Sequence, residues 1–74
     1  MTKEEIDHFM NEALKEARKA DKKNEIPIGA VIVRNGEIIS RAYNTREKTK
    51  NSTAHAEILA ISKACRKLSL HSLQ

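Results

Sequence analysis

Residues 26–33, IPIGAVIV, run almost without a polar side chain into Arg34-Asn35-Gly36. β-Branched residues dominate the run, which fits a strand covered on both faces. Pro27 has no N–H to give to a ladder, so it can stand only near a strand start or on an edge. Asn-Gly is the strongest short hairpin signal, because a type I′ turn needs positive φ at both central positions. The chain must therefore reverse at Asn35-Gly36, and residues 37–43 return as an antiparallel strand. The expected hairpin spans about 26–43. A lone hairpin is at best marginally stable, so the flanking segments have to cover it.

Upstream, Thr2 and Glu5 stand at capping-box spacing. Ile6, Phe9, Met10, Ala13, Leu14 and Ala17 then recur at the interval of one buried helical face. Glu12, Lys15, Glu16 and Lys19 fall opposite and read as solvated. The spacing predicts a helix over about 2–22, fading where turn formers gather at 21–24. Downstream, 44–53 is a polar, basic connection. A second helix is expected over about 54–68, capped by Thr53, with Ile58, Ile61, Cys65 and Leu68 facing inward. The tail SLHSLQ shows no clear period. The order helix, strand, strand, helix makes an α/β class. The apolar strand calls for neighbours on both edges, while the hairpin offers one, so the sheet reads as unfinished.

A length of 74 residues sets one domain at most, with a modest core. The charged fraction of 32% has both signs interspersed, as in globular chains. A net charge of +4 suits nucleic acid, and equally a solvated lysine surface. Cys65 stands alone, which excludes a disulfide within the chain and favours a reducing compartment. No stretch approaches the roughly 18 apolar residues of a membrane span, and the N-terminus lacks an apolar signal core. A cytoplasmic protein with no membrane partner is expected.

His55 and Glu57 are the residues most suited to chemistry. Positions i and i+2 do not face each other inside a helix. They can converge at a first turn, where the positive end of the helix dipole keeps an imidazole neutral and able to bind metal. Zinc suits that nitrogen, and a neighbouring carboxylate can carry protons for a metal-bound water. The plainer alternative is a surface histidine beside a favourable N-terminal acid. Cys65 lies ten residues on, about 15 Å along a helix axis. Zinc ligands sit within about 2.3 Å of the metal, so Cys65 cannot join His55 there and reads as a small buried hydrophobe. His8 and His71 read as surface residues.

IPIGAVIV, RAYN and STAHAEILAI, in this order and at these separations, resemble the N-terminal half of the bacterial tRNA adenosine deaminases, in the zinc-dependent cytidine-deaminase-like superfamily. The resemblance covers nearly the whole chain. It implies the first part of a three-layer α/β/α sandwich, here truncated. It implies that His55 binds zinc and that Glu57 is the proton shuttle in hydrolysis of adenosine to inosine at the tRNA wobble position. Asn44 would contact the target nucleoside, and Gly29 would let backbone approach the pocket floor. Each has a plainer reading: Asn44 as a residue closing a strand, Gly29 as one admitting a close helix. Arg46, Lys48 and Lys50, with Arg41, could hold RNA phosphates of a tRNA anticodon loop, or could be a solvated loop. The family implies a homodimer. Asn51-Ser52 departs from the Asp-Pro that often precedes T-A-H-A-E. The P-C-x-x-C that gives the family two further zinc ligands does not occur among the 74 residues. The expectation is a truncated form, inactive alone and holding zinc poorly. Deamination of guanine, cytosine or a nucleoside, or a non-catalytic role as fragment or dimer partner, are the alternatives.

Overall fold

A computed structural model of the chain describes residues 1–46 and 53–72. Its elements are α1 (Lys3–Lys22), β1 (Gly29–Arg34), β2 (Glu37–Tyr43), β3 (Thr45–Arg46), β4 (Thr53–Ala54) and α2 (Ala56–Ser72). The main order is the expected helix, strand, strand, helix. Among the described residues no helix is long and apolar enough to cross a membrane.

Both ends of α1 are set locally. The Glu5 N–H donates to Thr2 Oγ1 at 3.1 Å, and the Thr2 N–H donates to Glu5 Oε1 at 2.9 Å, which closes the capping box. At the other end Asn24 takes φ 60°. The Glu25 N–H reaches the Ala20 carbonyl at 2.9 Å and the Asn24 N–H reaches that of Asp21 at 3.0 Å. This is a Schellman ending in which asparagine fills the usual glycine position.

β1 and β2 pair antiparallel from Gly29↔Tyr43 to Arg34↔Glu37. Asn35 (φ 51°) and Gly36 (φ 79°) supply the two positive φ values that the turn requires. Ile32 pairs with Ser40 and Val33 with Ile38, so Ile39 is the extra residue of a bulge. The strand starts at Gly29, not at residue 26. The Ile28 N–H closes back on the Ile26 carbonyl at 2.8 Å around Pro27, a three-residue turn that leaves Ile26 exposed. The 44–53 connection also differs from a plain loop: Thr45↔Ala54 and Arg46↔Thr53 form a short second ladder.

The helices cover opposite faces of the ribbon. A Cβ on Gly29 would run into Ala13, Ala17 and Glu16 of α1. Arg41, across the sheet on the same face, meets α1 through Glu12 Oε1 at 3.2 Å and Glu16 Oε2 at 3.4 Å. On the other face Ser40 Oγ donates to the Ala60 carbonyl of α2 at 2.7 Å. The Cα extents are 35 × 34 × 12 Å, so the chain is thin in one direction.

This geometry corrects three expectations. The core is built from Phe9 and from alanines at 17, 20, 42, 56, 60 and 64. On α2 the buried stripe is Ala56, Ala60 and Ala64, and polar bonds from Asn44 and Ser40 hold two of them to the hairpin. Ile58 and Ile61 are therefore about half exposed, Cys65 is exposed instead of buried, and Leu68 is half-buried. On α1 the bulky Ile6, Met10 and Leu14 likewise flank the contact. Glu16, expected in solvent, is 2% exposed, because Arg41 and Lys19 neutralise it there. Finally, α2 starts two residues after 54 and continues to Ser72, through most of the tail.

Two outcomes follow. Gly29→Ala forces α1 off the ribbon and should lower stability by about 1–3 kcal/mol in urea unfolding. Hydrogen bonds from Thr2, backbone first, hold the Glu5 carboxyl below its ordinary 4.5. The Lys15 ammonium, and then the Arg41 guanidinium, do the same for Glu12. Both groups bind protons more weakly when folded, so their contribution is complete above 4.5 and is lost as pH falls below it through the folded values. Far-UV circular dichroism in an acid titration should show α1 weakening in that window, with a smaller acid loss in Glu12→Gln.

Candidate functional site

The site residues gather where β2 ends and α2 begins. The Asn44 N–H extends the hairpin ladder by donating to the Ile28 carbonyl at 3.0 Å. Its Oδ1 accepts the Ala56 N–H at 2.7 Å, and the residue is 8% exposed. The β3–β4 ladder brings the chain back beside Asn44.

The Leu59 N–H donates to the His55 carbonyl at 2.9 Å. His55 is therefore the capping position of α2. Thr53, expected there, lies instead on β4, because the ladder with Arg46 keeps it extended. His55 and Glu57 are exposed and flank Ala56, which is fully buried. Outside the helical backbone, His55 escapes the rule that keeps i and i+2 apart. The two residues thus stand on either side of the buried Ala56 at the first turn, both open to solvent.

Other candidates fall differently. Gly29 pairs with Tyr43 at this end of the sheet, but its missing side chain faces α1, which accounts for the glycine by packing. The Tyr43 hydroxyl accepts from Lys23 Nζ at 2.7 Å, so α1 engages that ring. Arg41 lies within β2 and is committed to Glu12 and Glu16, so it is not part of a basic loop. Arg46 lies on β3, while Lys48 and Lys50 lie outside the described residues. His8 is exposed.

Among the described residues no group of three or more His, Cys, Asp or Glu side chains could hold a metal ion. A catalytic zinc needs three protein ligands, of which His55 is able to supply one imidazole. Residue spacing did not disclose the Asn44–Ala56 bond. Its partners are twelve positions apart, and only an unpaired helix N–H beside a strand end hints at it.

A histidine and a glutamate around the first turn of a helix, docked on an antiparallel hairpin, are what the resemblance to the zinc-dependent deaminases implied. The family model for the cytidine and deoxycytidylate deaminase zinc-binding region matches residues 3–74, and the chain belongs to that family. It is 54% identical, over all of its 74 residues and 45% of the relative, to a tRNA-specific adenosine deaminase of Bacillus subtilis (strain 168). A protein of the same description from Aquifex aeolicus (strain VF5) is 52% identical over 92% of this chain and 45% of its own. A solved structure from a study of A-to-I editing by tRNA:A34 deaminases at the wobble position of transfer RNA superposes with a TM-score of 0.79 at 48% identity, covering 88% of this chain and 50% of that one. The chain thus spans about half the length of the relatives it matches.

The exposed Cys65 gives a direct check on the orientation of α2. A thiol reagent should modify it in the native chain nearly as fast as in urea, and Cys65→Ser should change stability by no more than about 0.5 kcal/mol. Strong native protection would mean that α2 turns a different face to the sheet.

Proposed function

We propose that residues 1–74 form the first part of a deaminase domain that hydrolyses adenosine to inosine at the wobble position of tRNA. The observation that carries this reading is the His55-Ala56-Glu57 wall, tied to Asn44, in a chain 54% identical along its whole length to a tRNA-specific adenosine deaminase. Relatives of tRNA-modifying description also support action in the cytoplasm.

Deamination forms a bond from water oxygen to C6 of adenine and breaks the bond from C6 to nitrogen, releasing ammonia. Protons must pass from the water to the ring nitrogen and to the departing amine. Glu57, exposed at the first turn, is the group in this chain able to accept and return them. In the family, zinc supplies an activated water. His55 suits one position on such an ion, and the remaining ligands are not among the described residues, so the chain alone holds zinc weakly. Asn44 orders the wall and borders the nucleoside. Arg46, Lys48 and Lys50 precede His55 in the sequence and would meet RNA phosphates.

The test is a chimera in which this chain is continued by the remaining half of the Bacillus subtilis relative. With zinc, it should convert adenosine to inosine in a tRNA anticodon stem-loop. Glu57→Gln should lower kcat by about a hundredfold or more with zinc content unchanged. The 74-residue chain alone should be inactive with added zinc. Turnover of free guanine or cytosine, but not of the stem-loop, would replace the proposed substrate. Activity of the isolated chain would overturn the half-site reading.

A further inference from the structure

We infer that Asn44 is a positioning residue that sets the start of α2, and with it the placement of His55 and Glu57. Ala56 opens the helix, so its N–H is one of the donors that no helical carbonyl can serve. Ala56 is also fully buried, so water does not serve it either. An unpaired buried N–H is expensive. A capping side chain at position 55 would reach the N–H groups of Glu57 or Ile58, not that of Ala56. The acceptor for Ala56 is Asn44 Oδ1, at 2.7 Å and twelve residues upstream.

Two consequences follow from the geometry. Asn44 is itself anchored, because its own N–H is bonded to the Ile28 carbonyl at 3.0 Å. A single buried residue thus bolts the first turn of α2 to the end of the hairpin. Second, the bond holds the backbone just after His55, whose side chain is exposed. Because Ala56 presents a donor, the carbonyl end of the amide must face it, and the NH₂ end points elsewhere. The bond itself is independent of any reaction. Only the task given to the wall it positions rests on the deaminase reading.

The experiment uses the full 74-residue chain and reads no activity. In isotope-labelled wild type, NMR should detect a scalar coupling across the hydrogen bond, from the Ala56 amide nitrogen to the Asn44 side-chain carbonyl carbon. Asn44→Leu keeps the size but removes the acceptor, and should speed hydrogen exchange at Ala56 by about tenfold or more while β1–β2 amides stay within about threefold. Asn44→Asp keeps an acceptor at a helix N-terminus and should restore protection at Ala56 to near wild type. A generic packing role would leave Asp no better than Leu. If Asn44→Leu fails to fold, the wild-type coupling and the Asp rescue decide the matter. Absence of the coupling in a folded chain, or Ala56 exchanging as fast in Asn44→Asp as in unfolded peptide, overturns the inference. An inactive chimera would count against the proposed function and leave this result standing.

Discussion

The distance at which two helices can approach a two-stranded ribbon governs this structure. Gly29 lets the backbone of α1 come down on β1, and Ala42 faces a row of alanines on α2. Close approach maximises dispersion contact per residue, yet it buries few large side chains. A chain only 12 Å deep in one direction has little other choice. Its larger apolar residues sit around the contacts instead of in them, and stability depends on fit and on polar ties more than on buried volume.

The polar ties compensate for that thin core. Glu16 is buried to 2% exposure between Lys19 at 2.9 Å and Arg41 at 3.4 Å, and removing both would strand its charge, the circumstance in which a buried pair matters most. Lys63 Nζ donates to the Arg41 carbonyl at 3.0 Å, and Lys67 Nζ approaches that of Ile39 at 3.5 Å. Two lysines one helical turn apart thus cover carbonyls along β2, a common way to blunt a sheet edge. β1 is treated differently. Beside it a groove of about 220 Å³ is lined by Met10, Ala13, Leu14, Ala17, Pro27, Ile28 and Gly29. One side of the ribbon is finished with charge and the other is left apolar, which matches a chain spanning half the length of its relatives.

What was legible in the sequence was what is decided within a few residues. Thr2 with Glu5, and Asn35 with Gly36, act over three residues or fewer, and their physics is complete in the local string. The helix–strand–strand–helix order followed from them and from periodicity. Facing was harder. Ile58, Ile61 and Cys65 make a plausible inward stripe, but so do Ala56, Ala60 and Ala64, and only the narrow gap above Ala42 chooses the alanines. Glu16 reads as solvent-facing until β2 brings Arg41 to it from 25 positions away. The bond from Asn44 that ties the start of α2 to the hairpin was not legible, because its partners lie twelve positions apart.

That geometry shows how the start of α2 is ordered. A metal site is usually organised by its metal, since liganding groups without the ion repel one another or wander. Here the order comes from elsewhere. The hairpin ends in Asn44, Asn44 receives the first N–H of α2, and the short β3–β4 ladder returns the chain to that point. Hydrogen bonding thus fixes the backbone at His55 and Glu57 by folding alone, and the conformational entropy of that first turn is met by the fold.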